Sequence, residues 1–155
     1  MSPHDFLSVD SHLADEECAI GAAVRAFAQA ELIPHITEWY EGAGAPRSIL
    51  KEFGRLGLLG MHLDNYGCAG TSATAYGVAC RELEAVDSGL RSLVSVQGSL
   101  AMFALHRWGT EDHRQEWLPR MASGEAIGCF GLTEPEAGSD PGSMRTTARR
   151  DGDDW

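Results

Sequence analysis

The chain has 155 residues, 43% of them hydrophobic, which is enough for one domain with its own core. Its 23 acidic side chains against 12 basic ones give a formal charge of −11, a field that repels polyanions and so argues against nucleic acid or an anionic membrane as partner. Cys18, Cys68, Cys80 and Cys129 form no C-x-x-C pair or Cys/His cluster, so neither a zinc site nor a disulfide framework is suggested and reduced, buried thiols are expected.

From Leu13 the apolar positions Ala19, Ile20, Ala23, Val24, Phe27, Ala28 and Leu32 recur at helical spacing, with Ser11 as the expected N-cap. Pro34 should end or kink that helix, with Ile36 to Trp39 continuing it, and Gly42 and Gly44 break the chain. A short helix carrying Ile49, Leu50, Phe53 and Leu56 is expected next, with Pro46 in its first turn and Gly57 closing it. Gly60 to Thr71 reads as an irregular loop, and Ser72 caps a helix whose inner face is Ala75, Val78, Ala79 and Leu83.

Asp87-Ser88-Gly89 marks the end of that helix. The next, about Leu90 to Trp108, is apolar on most faces and predicts a buried central helix. Thr110 caps a shorter one over Glu111 to Ala122, with acids at its start and Arg120 near its end, and Gly124 stops it. The pattern then changes. Ala126 to Leu132 is short, apolar and glycine-interrupted, and Arg145 to Arg149 is polar with Thr146-Thr147, which predicts two short strands around a loop. The expected fold class is therefore mainly α, a helical domain over residues 1–124 followed by the first strands of an incomplete β domain over 125–155.

The loop itself, Phe130-Gly131-Leu132-Thr133-Glu134-Pro135-Glu136-Ala137-Gly138-Ser139-Asp140, combines small residues, which let a ligand approach the backbone N–H groups, with hydroxyl donors. Turn residues alone would also write such a loop. The words Leu132-Thr133-Glu134-Pro135 and Ala137-Gly138-Ser139-Asp140 resemble the first signature of the acyl-CoA dehydrogenases, and Gly89-Leu90-Arg91-Ser92, Ser95-Val96-Gln97 and Trp117-Leu118-Pro119 precede it at that family's spacing. Essentially the whole chain is similar to the family's N-terminal portion. The resemblance implies FAD as cofactor, an acyl-CoA as substrate, an electron-transfer flavoprotein as electron acceptor and a homotetramer for the complete protein.

Residue by residue, it implies that Phe130 to Thr133 meet the pyrimidine edge of the flavin and that the following loop residues, Glu134, Pro135, Glu136, Ala137, Gly138 and Ser139, complete the cofactor loop. Ser139 would also lie near the CoA. The word around Arg91 is similar to the glutaryl-CoA branch, where an arginine holds the substrate's distal carboxylate and Ser92 adds a hydroxyl. That branch oxidatively decarboxylates glutaryl-CoA to crotonyl-CoA and CO2. A guanidinium suits the task because it grips a carboxylate bidentately and stays charged. Other acyl-CoA specificities remain open, and so does a solvated role for Arg91. Glu84 has two readings: a partner near that same carboxylate, or a solvent-facing residue balancing Arg81.

Glu134 and Asp140 are expected to brace turns rather than act as acids or bases. The family's catalytic glutamate has no counterpart in these residues, so no catalytic residue is assigned and the chain alone is expected to be inactive, a fragment. The six histidines, His4 among them, read as surface or helix-end residues, and Trp39, Trp108 and Trp117 as core or interface packing. Gly98 inside a helix marks close approach of a neighbour or ligand. Met1 to Asp10 carries no leader pattern and no 18-residue apolar run occurs, so a cytoplasmic protein is expected.

Overall fold

A computed structural model describes residues 8–42 and 44–154; the readings made on His4, on Met1 to Leu7 and on Trp155 lie outside them. After a 3-10 turn at Val9–His12, helix α1 spans Asp15–Phe27 and runs on as a π-helical turn, Ala28–Leu32. Pro34, which cannot donate to the helical ladder, sits in the 3-10 turn Ile33–His35, and the chain then re-forms α2, Ile36–Glu41. Helices α3 (Ile49–Arg55), α4 (Ala73–Glu84) and α5 (Ser88–Ser95) follow. A π-helical stretch, Val96–Met102, joins α5 to α6 (Phe103–Trp108), and α7 spans Glu111–Ala122.

The caps follow from side-chain chemistry. Ser72 Oγ accepts from the Ala75 N–H, Asp87 Oδ1 from Leu90 and Thr110 Oγ1 from His113, each satisfying an orphan donor of a first turn. Helices α3 and α7 end alike. Gly57 at φ 70° and Gly124 at φ 78° take the left-handed position, and the next amides, Leu58 and Glu125, reach back to the carbonyls of Phe53 and Arg120. Ser11 does not cap α1: its hydroxyl donates to the Ser8 carbonyl inside the 3-10 turn, and Ala14 is the N-cap. Its amide is taken by Glu17 Oε2 at 3.0 Å. Pro46 stands in the turn before α3, its carbonyl accepting from Ile49, rather than inside the helix.

The core is a contiguous cluster that includes Val24, Leu32, Leu50, Phe53, Leu58, Leu59, Leu83, Val94, Met102 and Leu118. Close backbone approach lets it close. A Cβ at Gly21 would meet Val78 at 2.8 Å, one at Gly54 would meet the Ser123 carbonyl at 2.5 Å, and one at Gly98 would meet the Gly60 nitrogen at 2.9 Å. The close approach expected at Gly98 is thus to the backbone of another segment. Glu82, 7% exposed, ties α1 to α4 by accepting from Arg25 Nε and Nη2 at 2.7 and 2.8 Å. These bonds, with Arg81 beside them, hold its carboxyl below the usual range against the opposing effect of burial.

Several expectations are corrected. The stretch from Leu90 to Trp108 is not buried on most faces: Val96, Leu100, Phe103 and Trp108 are exposed, because only one side of it meets the core. No β ladder forms among the described residues of 125–154: the expected strands pair with no neighbour, and isolated bridges occur outside them at Glu134–Ala137 and Asp151–Asp154. Cys18 and Cys129 are exposed and Cys68 and Cys80 half-buried, so the thiols are free but not uniformly buried. Burial pushes the Cys68 thiol up to about 11. Trp39 packs on the core edge, whereas Trp108 and Trp117 are exposed. His62 is half-buried with its ring 4.7 Å from Tyr76, not a surface residue. Among the described residues no helix is long and apolar enough to cross a membrane.

Candidate functional site

Two features carry the site. The first is a polar face on α5. Arg91 stands one turn from the Asp87 cap, so its side chain points outward while Leu90 and Val94 turn to the core. Its Nε donates to Glu84 Oε2 at 2.7 Å across the α4–α5 junction, and its Nη1 donates to Ser95 Oγ at 3.2 Å. Glu84 therefore pairs with Arg91, while Arg81 is engaged by Asp10 and Glu82. The contact with Glu84 raises the Arg91 guanidinium above its ordinary range. A guanidinium has five N–H donors, of which these two bonds use two, and the Arg91 side chain is 34% exposed. The remaining donors can take a planar anion from solvent.

Ser92 is half-buried beside Arg91, and its carbonyl accepts from the Ser95 hydroxyl at 3.1 Å. Ser95, four residues from Arg91, is the hydroxyl that touches the guanidinium, a contact to which sequence reasoning assigned no residue. The i,i+4 spacing that brings helix side chains together was the available signal. Behind this face the Ser99 hydroxyl donates to Tyr76 Oη at 2.8 Å.

The second feature is the loop from Cys129 to Asp140. Phe130 and Leu132 are exposed, and so are Gly131, Thr133, Gly138 and Ser139. Among the described residues, no protein acceptor engages the amides of Cys129 to Thr133, all of them in exposed residues. Beyond them the chain turns at Pro135-Glu136, with Glu134 and Ala137 exchanging both backbone bonds at 3.2 Å and Ala137 buried.

Both loop acids brace turns as expected. Glu134 accepts from the Arg145 amide at 2.8 Å and from the Thr146 amide at 2.9 Å, and these bonds, Arg145 first, hold its carboxyl below the usual range. Asp140 accepts from the Gly142 amide and the Ser143 hydroxyl, capping the 3-10 turn Pro141–Ser143. Glu136 is paired with Arg145 at 3.2 Å. No group of three or more His, Cys, Asp or Glu that could hold a metal occurs among the described residues.

The sequence model of the acyl-CoA dehydrogenase N-terminal domain matches residues 14–125, and the chain belongs to that family. It is similar in structure to a glutaryl-CoA dehydrogenase from Mycobacterium smegmatis solved in complex with FADH2, at 58% identity and a TM-score of 0.91, covering 94% of this chain and 38% of that one. Among curated relatives, the mitochondrial short-chain specific acyl-CoA dehydrogenase of Bos taurus is 36% identical over 132 residues, which are 84% of this chain and 32% of the relative. An acyl-CoA dehydrogenase of Bacillus subtilis is 33% identical over 138 residues, 88% of this chain and 36% of its own length. The chain thus spans about a third of the length of the curated relatives it matches.

Proposed function

We propose that these residues form the N-terminal part of an FAD-dependent acyl-CoA dehydrogenase whose substrate is glutaryl-CoA, with crotonyl-CoA and CO2 as products. The observation that carries the reading is the Arg91 site: a charged fork, partly exposed, braced by Glu84 and Ser95 with donors to spare. A distal carboxylate is the substrate feature such a fork selects, since it can be held by two parallel charge-assisted bonds. Glu84 keeps the guanidinium oriented and tempers its charge, so that a dicarboxylate's free end is bound without being trapped. The short-chain specificity named for other relatives calls for no such group.

The loop fits a flavin. Its free amides from Cys129 to Thr133 match a ring edge rich in acceptors, and exposed Phe130 and Leu132 offer apolar surface beside them. In this reading Phe130 to Thr133, with the Thr133 hydroxyl, hold the pyrimidine edge, and Glu134 to Ser139 wrap the rest, Ser139 toward the CoA. When bound, the flavin supplies a two-electron acceptor. The chain's own part is to present donors fixed beforehand where negative charge develops. Glu134 keeps that loop folded through its bonds to residues 145 and 146. We read residues 125–155 as the beginning of a second, β-rich unit. Electrons would leave to an electron-transfer flavoprotein, and the complete protein would be a homotetramer.

The test replaces the corresponding segment of the M. smegmatis enzyme by this chain and compares glutaryl-CoA with pentanoyl-CoA. Arg91→Met should lower kcat/KM for glutaryl-CoA by about 10- to 150-fold, the worth of a lost charge-assisted contact, and leave pentanoyl-CoA nearly unchanged. Equal losses on both substrates would return the assignment to an acyl-CoA dehydrogenase of other specificity.

A further inference from the structure

Among the described residues Gln97 is the one uncharged polar side chain buried with the core residues, 1% exposed, and it lies in the π-helical stretch that follows Ser95. Its carboxamide is satisfied by three partners from outside its own helix. Nε2 donates to the carbonyls of Met121 at 3.0 Å and Ala126 at 2.8 Å, and Oε1 accepts from the Gly128 amide at 2.9 Å. The Ala126 carbonyl and the Gly128 amide belong to the segment leading into the loop, where no ladder is present to pair them, while the Met121 carbonyl at the end of α7 also accepts from the Gly124 amide. A buried amide that lost such a partner would be penalised.

The seat beside it is equally specific. A Cβ at Gly128 would come within 2.5 Å of Ala101 Cβ and 2.6 Å of Met121 Cε, so the chain lies flat against the π-helical stretch at the point that Gln97 grips. Gln97 follows Leu90 and Val94 by seven and three residues and so continues their buried stripe, while Val96 and Leu100 on the same stretch stay exposed. Six residues separate Gln97 from Arg91. One continuous run of helix therefore carries both the guanidinium and the grip on the loop.

We infer that Gln97 is a positioning residue: by clamping residues 121, 126 and 128 it fixes the loop of free amides, Cys129 to Thr133, relative to the Arg91 face. The inference rests on the reading of that loop as the flavin-facing one. Gln97 touches neither flavin nor substrate itself. It sets where the donors stand before either arrives, which is what stabilising charge at a fixed place requires.

Hydrogen exchange and the 15N spectrum of the 155-residue chain test the clamp directly. The Gln97 side-chain amide protons should exchange far more slowly than those of exposed Gln29, and Gln97→Met, of similar length but unable to make any of the three bonds, should cost the Gly128 amide about tenfold or more of its protection while α1 and α4 keep theirs. Gly128→Ala, which pushes the chain off its seat with Gln97 intact, should shift the 129–133 amides in the same direction and serves if the Met variant does not fold. In the chimera with the M. smegmatis enzyme, Gln97→Met should release flavin fluorescence at a lower temperature with the helical melting point within a few degrees of the parent. Unchanged Gly128 protection, or loss spread evenly over α1 and α4, overturns the clamp. Loss confined to Gly128 with flavin release unmoved overturns the flavin-facing reading of the loop, and the positioning role with it.

Discussion

Between Asp15 and Ala122 most of the chain closes its backbone hydrogen bonds within helices and buries a shared apolar core; from Cys129 onward Ala137 is the buried residue among those described, and two isolated bridges are all that pairs the backbone as sheet. The two regions differ both in apolar content, which falls sharply after Cys129, and in where partners must come from. A helix satisfies its own ladder, whereas a strand needs a neighbour, and residues 126–132 and 145–149 have none among the described residues. Side chains do part of the work in the second region: Gln97 holds its start, and Glu134 folds 145 and 146 back on the loop.

The largest expected effect breaks the helical body alone. Phe53 is fully buried and meets Phe27 edge-on, with ring centroids 6.2 Å apart. Phe53→Ala should cost about 3–5 kcal/mol, lowering the midpoint of a far-UV melt by roughly 10 °C or more. A drop of only a degree or two would mean that the body is not one cooperative core.

A smaller effect is expected where the two regions join. Gly124 holds a left-handed conformation, and a Cβ there would run into the Leu50 carbonyl. Gly124→Ala should cost about 1–3 kcal/mol in strain, with further loss from the clash, and chemical denaturation would read it. Unaltered stability would show that the α7 end can move away from α3 freely, contrary to the close seating of Gly54 against Ser123.

The mildest test touches the second region alone. Glu134 has its carboxyl held below the usual range by the Arg145 and Thr146 amides, so its clamp is fully present above the ordinary Glu value of about 4.3 and is lost as pH falls through the lower folded value. An NMR titration of those two amides should give a midpoint below that of an ordinary glutamate, with helical signals unchanged nearby. A midpoint at or above the ordinary value would show that the carboxylate is not engaged in solution.

The helix order was legible because apolar spacing, Ser72, Thr110, Gly57 and Gly124 each state a local rule that the tertiary structure did not override. Ser11 misled because a 3-10 turn intervened and Glu17 took over the start of α1 from three residues inside it. At the candidate site, Arg91 and the loop words were visible, as was the bracing role of Glu134 and Asp140. The hydroxyl that meets Arg91 was not: side-chain direction on the helix, which the sequence does not state, brings Ser95 to the guanidinium.

By itself the sequence determined what depends on neighbours a few residues away: which segments are helical, where they stop, and which words of the loop match a family, since caps, periodicity and turn residues act over one or two turns of chain. The tertiary structure alone decided which faces are buried, leaving Val96, Leu100 and Phe103 outside, and where polar groups find partners, pairing Glu84 with Arg91, Glu82 with Arg25, and Gln97 with backbone up to 31 residues away. Those choices depend on distances between segments remote in sequence, and a desolvated amide or carboxylate accepts whichever partner the packing brings within reach.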